Sequence, residues 1–130
     1  MNIHGIGADI VEIRRMTRNL ERFGERFAQR ILADSELAGF ARTPRKAAYL
    51  ARRFAAKEAT AKALGTGFRD GLSLRHIAVG HDAAGRPILE FSGRARELLV
   101  ERGIADSFIS LADERENALA FVTLVTTSGG

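Results

Sequence analysis

The sequence predicts an α+β fold, a single domain in which a mainly antiparallel sheet packs against a long helix. Helical periodicity is concentrated in the first half of the chain, while the second half holds short apolar and β-branched runs separated by turn residues. The chain has 130 residues and 45% apolar content, a size at which one core buries most of the apolar surface, and neither a repeat nor a low-complexity linker divides it.

The elements follow in order. Residues 3–11 alternate as a strand, with Ile6, Ala8 and Ile10 on one face and Gly5, Gly7 and Asp9 on the other, the glycines leaving empty space beside Asp9. From about residue 11 to residue 32 the spacing turns helical through Ile13, Met16, Leu20, Phe23, Phe27 and Ile31, with Gly24 as a weak point. A short helix starts near Asp34 or Ser35, capped by Asp34, and stops before Thr43-Pro44, since the residue before proline is pushed out of the helical region. A longer helix spans residues 45–64. Strands over 74–81 and 87–91 are joined through Asp82-Ala83-Ala84-Gly85 as a hairpin. A helix over 93–102 ends at Gly103. Strands over 108–112 and 118–126 flank the charged turn 113–117, and residues 127–130 are expected to fray.

The chain contains no cysteine, which excludes disulfides, thiolate metal sites and a thiol nucleophile. No stretch approaches the ~20 apolar residues of a membrane span, and the N-terminus does not read as a secretory signal, so a cytoplasmic protein without membrane contact is expected. The net charge of +4 is uneven. Residues 1–62 hold 13 of the 20 Lys and Arg and 7 of the 16 acids, so the first part carries +6 and the remainder −2. That asymmetry points to an anionic partner, with nucleic acid, phosphates and an acidic protein all compatible. A nucleic-acid module is disfavoured, because no binding motif is present and there is one Tyr and no Trp.

Two acids stand where acids are rarely spent. At helical spacing Glu58 falls among Ala47, Leu50, Ala51, Phe54, Ala61 and Gly65, and Asp9 ends a glycine-bearing strand. Such a pair suits Mg²⁺, which takes one or two protein carboxylates and completes its shell with water and phosphate oxygens. The residues equally allow Asp9 to cap the following helix and Glu58 to pair with a buried cation such as Arg53. Lys57 and Lys62 flank the same turn; Lys62 shares a face with Glu58, either as a phosphate ligand or as a surface i,i+4 partner. Gly65-Thr66-Gly67 either approaches a ligand closely or simply ends the helix. Arg14, Arg18, Arg22, Arg26 and Arg30 recur every four residues beside Phe23 and Phe27, as a solvated face or as a dock for an acidic helix. His4, His76 and His81 have no metal-ligand spacing, and no Gly-x-Ser-x-Gly elbow occurs, so covalent catalysis is not expected.

Gly5-Ile6-Gly7-Ala8-Asp9-Ile10-Val11-Glu12-Ile13-Arg14, followed by Arg53-Phe54-Ala55-Ala56-Lys57-Glu58-Ala59 with Lys62 and Gly65-Thr66-Gly67, closely resembles the bacterial holo-acyl-carrier-protein synthases, a phosphopantetheinyl transferase family of fatty acid synthesis. The resemblance extends through Gly85-Arg86-Pro87 to Ser110-Leu111-Ala112-Asp113-Glu114-Arg115, essentially the whole chain. It implies a phosphopantetheinyl transferase-like fold and transfer of 4′-phosphopantetheine from coenzyme A to a serine of apo acyl carrier protein, with release of adenosine 3′,5′-bisphosphate. Asp9, Glu58 and Lys62 are the implied catalytic residues, Asp9 and Glu58 holding Mg²⁺. Arg45, Arg53, Lys62, Gly65, Thr66, Gly67, Gly85, Arg86 and Pro87 are the implied coenzyme A contacts. Arg14, Arg18, Arg22, Arg26 and Phe27 are the implied dock for the carrier protein. A homotrimer with sites between subunits is implied as well. Phe108 and Asp113 stand where relatives commonly have histidine, and Arg86 replaces the usual lysine, keeping the charge but changing the donor geometry.

Overall fold

The computed structural model describes residues 1–127, so the fraying expected of residues 128–130 lies outside the described residues. The elements are β1 (Asn2–Glu12), α1 (Ile13–Phe23), α2 (Glu25–Ile31), α3 (Asp34–Arg42), α4 (Lys46–Leu64), a 3₁₀ turn (Leu74–His76), β2 (Ile77–His81), β3 (Pro87–Phe91), α5 (Gly93–Glu101), β4 (Ile104–Asp113) and β5 (Asn117–Thr126). The predicted α+β fold is what forms: an antiparallel sheet in the order β1-β5-β4 and a separate β2-β3 hairpin. Among the described residues no helix is long and apolar enough to cross a membrane.

The packing of α4 on β1 follows from two glycines. A Cβ on Gly7 would stand 1.8 Å from the Ala59 carbonyl oxygen, and one on Gly5 would stand 1.9 Å from that of Ala63. Strand and helix therefore meet main chain to main chain, which residues with side chains forbid. The space expected beside Asp9 is filled by the backbone of α4. Ala55, Ala56, Ala59 and Ala63 complete the contact, and Ala118, Ala120, Val122 and Leu124 of β5 line the same buried layer.

The opposite sheet face is open. Strand register places Ile6, Thr123 and Phe108 in one row and Ile10, Leu119 and Ala112 in another, with Ala8, Phe121 and Ser110 between them. Ile6, Ile10, Phe108, Leu119 and Phe121 are exposed there, Ile10 by 63%.

Three local expectations are corrected. The first long helix is two, because Gly24 adopts φ 66 and ψ −153, outside the helical region. Asp34 does not cap α3: the Ala33 N–H donates to Glu36 Oε1 at 2.9 Å, and Asp34 pairs with Arg75 at 2.7 Å. Residues 74–76 form a 3₁₀ turn instead of strand, with the carbonyls of Leu74 and Ile77 both drawn to the Lys57 ammonium.

Candidate active site where α4 crosses β1

Asp9 reaches the crossing because inward-facing positions of β1 alternate from Gly5 and Gly7, and Glu58 reaches it from the exposed edge of the α4 contact. Lys62, one turn beyond Glu58, donates from Nζ to the Ala8 carbonyl at 2.9 Å and to Asp9 Oδ1 at 3.2 Å. Its partner is thus Asp9, and the simple i,i+4 pairing with Glu58 is not what forms. Nor does Asp9 cap α1, whose N-cap is Glu12 with no side-chain capping bond. Burial, and then the neighbouring Asp9, push the Glu58 carboxyl above its ordinary pKa, and Lys62 and Arg15 offset only part of this.

The two carboxylates stand in each other's field, with Lys62 and Arg15 as the nearby cations. Their oxygens are the hard donors that Mg²⁺ prefers, and a divalent cation between them would relieve their mutual repulsion. Among the described residues no group of three or more His, Asp or Glu converges. The chain thus offers at most two carboxylate ligands here, the number Mg²⁺ ordinarily takes from a protein when phosphates supply the rest.

The deepest charge on α4 is not Glu58 but its neighbour. Lys57 is 0% exposed and Glu36, on α3, is 2% exposed. Lys57 Nζ donates to Glu36 Oε1 at 2.7 Å, to the Leu74 carbonyl at 3.1 Å and to the Ile77 carbonyl. Glu36 Oε2 accepts the Val79 N–H at 3.0 Å and lies 3.5 Å from Arg53 Nε. The Arg53 guanidinium stacks over the Tyr49 ring at 3.6 Å from its centroid, and the Tyr49 hydroxyl donates to the Glu36 carbonyl at 2.5 Å. Arg53, expected at a phosphate, is therefore an internal residue in this chain, and its acid is Glu36 and not Glu58. Lys57 likewise does not flank the site. The sequence carried half of this signal: Leu50, Arg53, Lys57, Ala61 and Leu64 form a helical stripe, and all five are buried, but Glu58 borders an apolar stripe of its own. Burial pulls the Lys57 ammonium below its ordinary pKa, opposed by Glu36.

Gly65 closes α4 in the left-handed region at φ 84, its N–H donating to the Ala61 and Lys62 carbonyls at 3.1 and 3.0 Å. Gly65-Thr66-Gly67 thus starts directly after the Lys62 turn, and Thr66 Oγ1 is buried without a hydrogen-bond partner. Gly85, Arg86 and Pro87 lie at the tip of the β2-β3 hairpin, where Arg86 Nε pairs with Asp82 at 3.2 Å. Arg45 is not brought to Glu58. It caps the far end of α4, about 20 Å away along the axis at 1.5 Å per residue.

The arginine stripe is split by the Gly24 break. Arg14, Arg18 and Arg22 are exposed on α1, with Arg18 loosely paired to Glu12 at 3.5 Å, whereas Arg26 and Arg30 lie exposed on α2. Phe27, expected in the dock, is half-buried and packed against the core, and it is Phe23 that is turned outward, 51% exposed with Arg22 over its ring. Arg14 also lines a cleft of about 400 Å³ with Glu12, Ile13, Thr17, Arg115 and Glu116. His76 accepts the Ser73 N–H at 3.0 Å and is structural, as expected. Asp113 pairs with Arg52 at 3.2 Å, and Phe108 lies on the open sheet face.

A sequence model of the 4′-phosphopantetheinyl transferase superfamily matches residues 5–122, and the chain belongs to that family. It is 59% identical to the holo-(acyl-carrier-protein) synthase of Halorhodospira halophila over 124 residues, which cover 95% of this chain and 98% of that protein. The Nitrosococcus oceani enzyme of the same name is 55% identical, over 98% of this chain and 83% of that one. Among solved structures, the Neisseria meningitidis synthase superposes with a TM-score of 0.90 at 45% identity, covering 95% of this chain and 99% of that one. The Helicobacter pylori synthase in complex with coenzyme A gives a TM-score of 0.81 at 30% identity, covering 92% of this chain and 99% of that one. The chain is thus an enzyme, a transferase of the holo-acyl-carrier-protein synthase group.

Proposed function

We propose that this chain transfers 4′-phosphopantetheine from coenzyme A to a serine of apo acyl carrier protein, in a Mg²⁺-dependent reaction of cytoplasmic fatty acid synthesis. The observation that carries the reading is the meeting of Asp9, half-buried Glu58 and Lys62 where α4 crosses β1, in a chain of this family. The coenzyme A complex of the Helicobacter relative supports coenzyme A as the donor.

The serine hydroxyl attacks the β-phosphorus of the coenzyme A pyrophosphate, the bond to the bridging oxygen breaks, and adenosine 3′,5′-bisphosphate leaves. Asp9 and Glu58 would hold Mg²⁺, which would neutralise charge on the pyrophosphate. Lys62, already fixed to Asp9 and the Ala8 carbonyl, holds a pyrophosphate oxygen. Glu58, at the crossing beside Asp9 and Lys62, is the carboxylate that this chain offers to accept the serine's proton. Gly65-Thr66-Gly67 and the hairpin segment Gly85-Arg86-Pro87 line the nucleotide. Arg14, Arg18, Arg22 and Phe23 form the dock for the acidic carrier protein, attraction speeding encounter and weakening with salt.

The chain acts as one transferase domain within a homotrimer. The open apolar face of β1-β5-β4 supports this, because a contiguous exposed patch of that kind marks an interface. Sites shared between subunits also give Arg45 a route to a nucleotide that its own α4 denies it.

Purified protein with Mg²⁺, coenzyme A and apo carrier protein should raise the carrier's mass by one phosphopantetheine arm. No gain across a range of enzyme concentrations would refute the reading.

A further inference from the structure

We propose that the buried Glu36–Lys57 pair is a registry lock, fixing where α4 lies along β1 and thereby positioning Glu58 against Asp9 and Lys62. The inference rests on the reading of Asp9 and Glu58 as a cation site. Because Lys57 is wholly enclosed, it touches no substrate and acts only through its neighbour.

The contact that brings the two carboxylates together is smooth. Gly5 and Gly7 offer no side chain, and Ala55, Ala56, Ala59 and Ala63 offer one methyl each, so there are few interlocking groups to resist a slide or a rotation of the helix. Directional bonds supply what that contact lacks. All three Lys57 donors are used, on Glu36, Leu74 and Ile77, and Glu36 in turn accepts the Ala33 and Val79 N–H groups, with Arg53 Nε 3.5 Å away as an ion-pair partner that makes no hydrogen bond. The bonds tie α3, α4, the 3₁₀ turn and β2 to one point, and hydrogen bonds weaken steeply once distance or angle departs from the optimum. Lys57 directly precedes Glu58, so whatever holds the first sets the place of the second. Buried ion pairs contribute little net stability, and registry is their best-attested use.

The test compares the parent protein with Lys57→Met and Glu36→Gln/Lys57→Met. Near-UV circular dichroism scores folding, and Mn²⁺ is titrated by calorimetry into metal-free protein without coenzyme A or carrier. Folded variants should bind Mn²⁺ at least about tenfold more weakly and turn over about 100-fold more slowly, the scale of an ångström misplacement. A purely structural pair would lower the melting temperature and leave the Mn²⁺ midpoint of the folded protein unmoved. A folded variant that binds Mn²⁺ as the parent does overturns the proposal. So does failure of both variants to fold, which would make the pair a requirement of the fold itself. A parent that binds Mn²⁺ but transfers nothing refutes the transferase reading while leaving the registry test standing, whereas a parent that binds no Mn²⁺ removes both.

Discussion

Replacing Gly7 with alanine tests the contact on which the site depends. The added Cβ would stand 1.8 Å from the Ala59 carbonyl oxygen, whereas real Cβ atoms essentially never come closer than 3.0 Å, so strand and helix must part by 3.0 − 1.8 = 1.2 Å or more. The obstacle is main chain and cannot rotate away. Overpacking costs about 1–3 kcal/mol, and an unyielding neighbour places this substitution at or above the upper end. A loss of ~3 kcal/mol lowers the melting temperature of a domain this size by roughly 10 °C. Ala59 follows Glu58 directly, so the displacement carries Glu58 away from Asp9, and activity should fall about 100-fold. Thermal melts followed by circular dichroism and the carrier mass assay measure the two effects. Ala59→Gly should not rescue Gly7→Ala, since the contact is with the carbonyl and not the methyl. A Gly7→Ala protein that melts within about 2 °C of the parent and keeps its rate, or is rescued by Ala59→Gly, would refute the reasoning.

The raised Glu58 pKa gives a pH dependence of definite sign. The stability it contributes to metal-free protein is present below its unfolded pKa and lost as pH rises through the higher folded value. Cation binding needs the ionised form, so Mg²⁺ affinity should begin to fail at a higher pH than an ordinary carboxylate would cause. Calorimetric Mg²⁺ titration across pH checks this, and Glu58→Gln should abolish the Mg²⁺-induced rise in melting temperature. Phe121→Asp, in the middle of the open sheet face, should break the proposed trimer in sedimentation velocity; a parent that sediments as a monomer would refute that assembly. Arg14→Glu should raise KM for the carrier by roughly tenfold and flatten its salt dependence while leaving KM for coenzyme A unchanged. Phe23→Ala should weaken carrier binding, whereas Phe27→Ala should lower the melting temperature instead.

The sequence by itself determined much of this protein. Periodicity located nearly every element, because the alternation of β1, the caps at Gly65 and Gly103 and the turns at 82–85 and 113–117 are local choices of backbone. It also marked Asp9 and Glu58 as acids out of place, and the motifs around them carried the family. What tertiary structure alone decided were the questions of which side of an element faces which neighbour. Gly5 and Gly7 read as empty space until α4 lay on them. Gly24 read as a weak point until its positive φ turned Phe23 outward and left Phe27 against the core. The buried ion of α4 could not be chosen from its own helix, since Lys57 and Glu58 are adjacent and each borders an apolar stripe. Glu36 and the carbonyls of Leu74 and Ile77, from elements up to 21 residues away, selected Lys57 by supplying the acceptors that a buried ammonium requires.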